Sequence, residues 1–434
     1  MATVIERDHN RYEVVKVLNP DDQVLNVSLV SSPQDTSPTT LDAFGRLRIS
    51  EPLTLFDSSH RYQDNGLWDT NTASGGSSTF NANAGLVDLA VTTTSGSLVY
   101  RETRKVFSYQ PGKSLLVMNT FVMNPAKTGL RQRVGYFGTD NGFYIELANS
   151  TLSLVERSAV TGSVTETRVA QADWNVDKLD GTGPSGLTLD ITKAQILWAD
   201  VEWLGLGTVR IGFVIGGHLV TCHAFDHANL ITSTYITTAS LPLRYEIENT
   251  AATASSSTLK QVCSTVISEG GYELRGAQQS VETPIASPRD LTNASTVYPI
   301  ISIRLKTSPN RLDAIVILTA LSIMGITNNA NYLWKVVVAG TTTGGTWLSA
   351  GADSSVEYNL TGTSFTGGRS LASGFTNGSN QGSTPVDILK QALFTTQLDR
   401  NTFTSTAYEL TLVASSNSAG ADILASMDWE EISR

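Results

Sequence analysis

Charged residues are scarce in this chain. Lys, Arg, Asp and Glu make up 16% of its 434 residues, against roughly 25% in an average globular protein. Acidic residues outnumber basic ones by 40 to 30, giving a formal net charge of −10. Nucleic-acid binding needs clustered Lys and Arg that neutralise phosphates, and the nearest groupings, Arg46/Arg48 and Arg101/Arg104/Lys105, are short. We expect no nucleic-acid partner and assign these residues to ion pairs or solvated strand edges.

Cysteines and long apolar runs are also few. Cys222 and Cys263 are the only two cysteines, too few for a disulfide framework, so the chain is expected to fold in a reducing cytoplasm. The longest apolar run, residues 314–326, covers about 13 positions, whereas a membrane-spanning helix needs roughly 20. The N-terminal residues lack the basic and apolar regions of a secretory signal. We therefore expect no membrane insertion.

Short strands are what the sequence offers in abundance. From residue 43 to 276, brief apolar runs are bounded by Gly, Asn, Asp or Ser, which is typical of strands. The dipeptide Asn141-Gly142 between two aromatic-rich runs indicates a hairpin. Alternating apolar residues over 209–215 indicate a strand with one buried face. The pattern predicts a mainly β fold with a jelly-roll β-sandwich over residues 46–276.

A chain of this length is expected to form two or three domains. Residues 277–296 are polar, contain two prolines and predict a linker, after which residues 297–434 predict a second, smaller β-sandwich and one helix at 385–393. Residues 1–45 hold two short apolar runs, 14–18 and 24–30, followed by proline turns. Such a segment cannot bury its own apolar side chains, so it predicts an extended N-terminal arm; a hairpin packed on the first domain is the alternative.

Four oxygen-bearing residues, Asp173, Asn175, Asp177 and Asp180, have a spacing like the start of a calcium loop. A calcium loop of the EF-hand type needs Gly and Glu at the sixth and twelfth positions, and the range 173–184 has Lys and Pro there. The favoured interpretation is a turn whose carboxylates accept hydrogen bonds from nearby backbone amides. No metal or other cofactor is predicted, and calcium at these residues stays an alternative.

Four further residues, His218, Cys222, His223 and His227, have side chains that zinc prefers. Strand alternation would point Cys222 and His223 to opposite faces, so a shared ion is not expected. We interpret Cys222 as a small buried apolar residue and the histidines as hydrogen-bonding groups in a loop or at an interface.

Catalytic motifs with fixed spacing are lacking in the sequence, and no catalytic residue is predicted. Strand-borne carboxylates about 5–9 Å apart could hydrolyse glycosides, but a solvated face is the favoured interpretation of the candidates Glu146, Glu156, Asp200 and Glu202. Aromatic residues at loop tips beside Asp or Asn suit glycan binding. Trp174, Tyr62 and Trp68 are the glycan candidates at such tips, but aromatic plugs covering the ends of the sandwich are the favoured interpretation.

Four segments carry a family resemblance: residues 43–62 (AFGRLRISEPLTLFDSSHRY) and 176–229, with further landmarks at 242–250 (PLRYEIENT) and 299–306 (PIISIRLK), spread over both predicted domains. They resemble virion structural proteins of tailed bacteriophages, especially large marine and cyanobacterial phages. The central module resembles a concanavalin or laminin-G type jelly roll, many of which bind sugars through calcium-supported loops.

The resemblance implies a non-enzymatic virion component of the tail, baseplate, fibre or head surface, synthesised and assembled in the host cytoplasm. It implies a homo-oligomer, a trimer or ring, that contacts itself and other virion proteins. The alternative is a lectin-like protein of a fibre or spike that binds host surface polysaccharide. A capsule-degrading hydrolase is the third possibility.

Overall fold

The computed structural model describes Thr3–Val4, Val15–Lys16 and residues 51–271, 276–378 and 397–432. Residues Met1–Ser50 and Glu51–Arg434 form two compact units. In the first unit, β1 (Thr3–Val4) and β2 (Val15–Lys16) pair antiparallel. The rest of the predicted arm, 1–45, and the predicted helix at 385–393 lie outside the described residues.

Within the second unit, strands dominate, which confirms the prediction of a mainly β fold with β-sandwich architecture. The only helical element among the described residues is a short 3-10 helix, Gln171–Asp173. The strands are β3 Leu53–Ser59, β4 Trp68–Ala73, β5 Ser77–Asn81, β6 Leu86–Val91, β7 Leu98–Thr103, β8 Leu115–Val122, β9 Leu130–Phe137, β10 Gly142–Ala148, β11 Thr151–Ser158, β12 Thr165–Ala170, β13 Gln195–Val201, β14 Val209–Ile215, β15 His218–Phe225, β16 Leu243–Asn249, β17 Ser257–Ser268, β18 Ala277–Glu282, β19 Arg289–Leu291, β20 Tyr298–Leu305, β21 Val316–Gly325, β22 Asn331–Thr343, β23 Leu348–Ser349, β24 Val356–Asn359, β25 Ser364–Asn377, β26 Glu409–Ser416 and β27 Ala421–Glu431.

Two antiparallel sheets form the first sandwich. A seven-stranded sheet has the order β12-β11-β10-β9-β16-β7-β4, and an eight-stranded sheet has the order β15-β14-β13-β8-β17-β6-β5, with β3 also paired to β17. Their inner faces share one hydrophobic cluster that includes Val117, Phe121, Tyr136, Ile145 and Phe213. Each large apolar side chain buried in this way contributes about 1.5–3 kcal/mol relative to exposure.

Local sequence explains the hairpin that joins β9 to β10. The Gly138 amide donates to the Asn141 carbonyl at 2.9 Å, and Gly142 has a φ of 141°. A Cβ at Gly142 would lie 2.3 Å from the Cα of Phe137. Only glycine fits this position, so the hairpin predicted from the Asn-Gly dipeptide is confirmed.

A second hydrophobic cluster lies between the remaining two sheets. One is four-stranded, β18-β27-β19 with β21 also on β27, and the other is six-stranded, β23-β24-β20-β26-β22-β25. Ile303, Leu412 and Trp429 are buried at its centre. Residues 277–296 were expected to be a linker, but they contribute β18 and β19 to this sheet. Most side chains of these residues face solvent, so the segment is polar. A polar edge strand of this kind is hard to tell from a loop by sequence alone.

The two sandwiches touch through residues 397–403. The Gln397 amide donates to Ser108 Oγ at 2.5 Å. Phe403 packs edge-on against Tyr100, with ring centres 5.4 Å apart. This segment fixes part of the second sandwich against strand β7 and the residues that follow it.

Candidate functional site

The structure exposes only one of the three aromatic residues predicted to bind glycan. Tyr62 is 84% exposed, whereas Trp68 and Trp174 are 4% and 2% exposed. Both tryptophans belong to the first core, where their indole nitrogens donate to Ser58 Oγ at 2.8 Å and to the Val169 carbonyl at 3.2 Å. The expectation that these two rings lie at loop tips is wrong, because burial of the ring with its N–H hydrogen-bonded is favoured over exposure.

Two of the calcium candidates cap their own turn. Asp177 is buried, and its two carboxylate oxygens accept from the Leu179 amide at 2.9 Å and the Ser185 amide at 2.7 Å. Asp180 accepts from the amide and hydroxyl of Thr182 at 2.8 and 2.6 Å. These hydrogen bonds are the turn-capping pattern favoured from the sequence.

The other two calcium candidates do not converge with them on one ion. Asp173 is exposed at the end of the 3-10 helix. Asn175 forms a pair of hydrogen bonds with the backbone of Ala224, each 2.9 Å long. Within the described ranges, no group of three or more His, Cys, Asp or Glu side chains could hold a metal ion.

The proposed zinc ligands also separate. His218 is exposed, while Cys222 lies in the hydrophobic core at a β-bulge of β15 against β14. Burial raises the pKa of the Cys222 thiol, which keeps it protonated and poorly suited to metal binding. His223 Nδ1 accepts from the Asn175 amide at 3.2 Å. Cys222 is therefore a small apolar core residue, as expected.

His227 ties the two sheets of the first sandwich together. Its Nδ1 lies 2.6 Å from the Gly207 carbonyl and its Nε2 2.7 Å from a Glu156 carboxylate oxygen. Both neighbours are acceptors, so both ring nitrogens donate only when the imidazole is protonated. Burial opposes protonation, but the hydrogen bonds to Glu156 and Gly207 outweigh it and raise the pKa of His227. The ring also stacks on Tyr235, with centres 3.9 Å apart.

Glu146 and Glu156, two of the carboxylates considered for glycoside hydrolysis, do not form a facing pair. Glu156 stands opposite Phe143 across β10 and β11. Glu146, three residues beyond Phe143, therefore lies on the other face of the sheet. Asp200 is on the eight-stranded sheet and Glu202 follows it. The expected solvated face is also wrong for Glu146 and Asp200, because both are buried in ion pairs.

Instead, the outer face of the seven-stranded sheet carries a lattice of ion pairs. Glu146, Arg133 and Glu246 stand directly opposite one another on β10, β9 and β16. Arg133 Nε donates to Glu146 at 2.8 Å, and its Nη1 lies 3.4 Å from Glu246. All three side chains are at most 5% exposed. Charge-assisted hydrogen bonds of this kind are the stronger ones in proteins.

The lattice extends towards β12. Glu166 accepts from Tyr144 Oη at 2.7 Å and from Arg157 Nη2 at 2.5 Å. Burial would raise the pKa of Glu166, but hydrogen bonds from Tyr144 and Arg157 and the charges of Arg157 and Arg133 lower it to about 2. Glu166 is therefore ionised at neutral pH and is already paired with Arg157.

A cavity of about 330 Å³ lies where the two sandwiches meet. The first sandwich contributes Tyr109, Trp203 and residues 237–240, and the second contributes Asn310, Arg311, Asp313 and Ala314. The rings of Tyr109 and Trp203 meet edge-to-face with centres 5.7 Å apart. This volume is at the lower end of the range for small-molecule sites, roughly 300–1,000 Å³.

Polar groups around this cavity are held by their neighbours. Asn310 Oδ1 accepts from the Leu312 amide at 3.1 Å, which orients the side-chain amide. Arg400 Nε donates to Asp313 Oδ1 at 2.9 Å. The Thr238 hydroxyl accepts from the Ser240 amide at 3.0 Å, leaving its own proton to donate. We call this feature the junction pocket.

Sequence reasoning missed the junction pocket because its walls come from four separate segments spread over residues 109–314. Tyr109 and Trp203 each stand in an unremarkable loop sequence, and residues 310–314 belong to the other sandwich. The available signal was local: Asn310 in the run Ser-Pro-Asn-Arg marks a turn. That signal indicates a loop, but it says nothing about what the loop faces.

Across the described ranges, no helix has the length and apolarity to cross a membrane. No protein-family model matches the chain, and no curated protein sequence matches it.

Solved structures with similar backbones include proteins with lectin-type names. The carbohydrate recognition domain of Emp47p is 10% identical, covers 51% of this chain and 97% of its own, and has a TM-score of 0.32. The CBM2 module of the evolved Dit from Lactobacillus casei BL23 phage J-1 is 6% identical, with coverage of 52% and 100% and a TM-score of 0.32. Peanut lectin is 10% identical, with coverage of 50% and 98% and a TM-score of 0.28. At these values the likeness assigns no binding partner to the chain.

Proposed function

We propose that the chain is a non-enzymatic structural component of a tailed-phage virion, in the tail, baseplate, fibre or head-surface apparatus. It assembles as a homo-oligomer, a trimer or ring, and its place is in the virion. The phage assignment rests on the sequence segments described above. The assembly part rests on strand β25.

Strand β25, Ser364–Asn377, is the observation that carries self-assembly. It lies at the edge of the six-stranded sheet and, within the described residues, pairs with β22 alone. Arg369 is its only charged residue, and Phe375 is 79% exposed. The pairing of β25 with β22 is interrupted by a β-bulge opposite Val336 and Val337. Residues 372–377, on one side of this bulge, pair regularly. Exposed, uncharged edge strands are templates for pairing with another chain.

The occupant we propose for this edge is the apolar run 24–30 in the arm of a neighbouring copy. That run is apolar and lies in the predicted extended arm, which belongs to a different compact unit from the sandwiches. Because this edge carries a single charge, ion pairing is not what would select its partner. An added apolar strand would instead bind through backbone hydrogen bonds along the edge. Donating an arm to the next copy is a head-to-tail contact, and such contacts form trimers or rings when the rotation between copies closes.

Light scattering of the purified full chain after size exclusion tests this arrangement. We expect the wild type to be a closed oligomer, and both deletion of residues 1–45 and Phe375→Lys to yield monomers. Ile285→Lys is the matched control, since Ile285 is 83% exposed in a loop, and it should leave the oligomer intact. A monomeric wild type, or an oligomer that survives the deletion, would overturn the proposal.

The non-enzymatic part is supported by the state of the carboxylates. Glu146 is paired with Arg133 and Arg168, and Glu156 with His227. A general acid or base must exchange its proton with substrate, and these groups are committed to neighbours. Release of reducing sugar from host envelope polysaccharide by the purified chain would contradict this part.

Recognition of host surface glycan is the second candidate function, and the junction pocket is the observation that favours it. The pocket combines two aromatic rings with hydroxyl and amide groups, which is the composition that a sugar site needs. Binding of the purified chain to host surface polysaccharide tests it.

A further inference from the structure

We infer that the junction pocket binds one unit of a neutral saccharide, held between the two sandwiches. This inference deepens the glycan-binding candidate and does not depend on the assembly role. It places the ligand away from Tyr62, Trp68 and Trp174, the residues that the sequence suggested.

The aromatic wall provides the apolar part of the site. Tyr109 is buried and Trp203 is half-buried, and their edge-to-face contact fixes the angle between the rings. A pyranose has an apolar C–H face that packs on such a surface. The cavity volume of about 330 Å³ suits a single sugar unit with part of its neighbour, not an extended chain.

The residues that the second sandwich contributes to the lining provide donors and acceptors together. Because Asn310 Oδ1 is occupied by the Leu312 amide, its Nδ2 is the part of the amide left to donate. Because Asp313 Oδ1 accepts from Arg400, its second oxygen is left to accept. A sugar hydroxyl both donates and accepts, so this mixed lining suits it better than it suits a purely anionic or cationic ligand.

Charge favours a neutral ligand. Arg311 and Asp313 are the charged residues of the lining, and Asp313 is also paired with Arg400, so no cluster of one sign lines the pocket. The chain as a whole carries a formal charge of −10, which repels acidic polysaccharide at long range.

The walls are held in place on both sides. Ser108, next to Tyr109, accepts from Gln397, and Asp313 is held by Arg400 of the same segment. Because these side chains are already fixed, less conformational entropy is lost when a ligand binds. The shape of the pocket therefore depends on the contacts through which residues 397–403 hold the two sandwiches together.

The test uses an array of neutral oligosaccharides, built from hexoses, deoxyhexoses and N-acetylhexosamines, beside acidic ones built from uronic and sialic acids. The purified full chain should bind neutral members, and the best of these is then titrated calorimetrically in solution. Asn310→Asp keeps the oxygen that accepts from Leu312 and removes the Nδ2 donor. We expect it to weaken binding about tenfold or more, with an unchanged melting temperature.

Two variants serve as controls. Asn83→Asp makes the same change at an exposed turn, and Tyr62→Ala removes the exposed aromatic outside the pocket; both should bind like the wild type. Binding confined to acidic saccharides, or Asn310→Asp binding as tightly as the wild type, would overturn the pocket assignment while leaving glycan recognition standing. Absence of binding to any member would overturn both, and the oligomer measurement would still decide the structural role.

Discussion

His60 is expected to make the fold sensitive to mild acid. It follows strand β3, is 1% exposed, and neither ring nitrogen has a hydrogen-bond partner within the described residues. Burial, together with the charge of Arg101, lowers the pKa of His60 from 6.5 to about 4, and the more distant Asp64, 3.8 Å from Nδ1, opposes this only partly. The folded chain therefore holds a neutral imidazole.

The sign and the size of the effect follow from the two pKa values. As pH falls from 6.5 towards 4, the unfolded chain takes up a proton at His60 and the folded chain does not. The free energy of unfolding therefore decreases as pH falls across this window and loses nothing more from His60 below it. Since each pKa unit corresponds to about 1.4 kcal/mol, the full loss is about 3 kcal/mol.

His60→Phe removes the titrating group and keeps a ring. No hydrogen bond is lost, so its free energy of unfolding near neutral pH should lie within about 1 kcal/mol of the wild type. Near pH 4 the variant should be about 3 kcal/mol more stable than the wild type. Urea unfolding followed by tryptophan fluorescence across this pH range measures both values.

The carboxylates titrate in the same pH range, but they are present in both the variant and the wild type. Their contribution to the free energy of unfolding therefore cancels in the difference between the two. His218→Phe, the same change at an exposed histidine, should give a difference that varies little with pH. A constant difference between His60→Phe and the wild type from neutral pH to pH 4 would refute the account of His60.

Three further predictions concern groups that the fold buries. Glu431→Leu should lower the free energy of unfolding by about 3 kcal/mol or more, because the carboxylate accepts from the Ser355 amide and two other buried donors; urea unfolding measures this. Glu166→Gln should cost roughly 1–2 kcal/mol at neutral pH after solvent screening, and this cost should shrink as pH falls from 4.5 towards 2, since the folded carboxyl titrates near 2. Trp174→Ala should cost about 3–5 kcal/mol and lower the melting temperature, without weakening glycan binding by the protein that remains folded.

Features set by neighbouring residues could be predicted from the sequence. The hairpin at Asn141-Gly142 follows from the backbone needs of a tight turn, and the buried face of β14 follows from period-two alternation. Features set by distant residues could not. Trp68 and Trp174 looked like loop aromatics because polar residues flank them, yet the sheets close over both. A bulge that places Cys222 in the core likewise leaves no signal in an alternating pattern.

The distribution of charge explains why the junction pocket, and not the outer face of the seven-stranded sheet, is the better binding site. The chain has few charges, and a buried lattice around Arg133 concentrates several of them on that face. A ligand lying there would have to displace partners such as Glu146, and breaking a buried pair costs about 3–5 kcal/mol. In the junction pocket, within the part of the chain that the structure describes, Asn310 retains an unused donor and Asp313 an unused acceptor, so a ligand adds hydrogen bonds without breaking any. A ligand could occupy the sheet face only if its contacts there contributed more binding free energy than breaking the ion pair costs. A neutral sugar cannot do so, because it has no charge with which to replace a carboxylate beside Arg133.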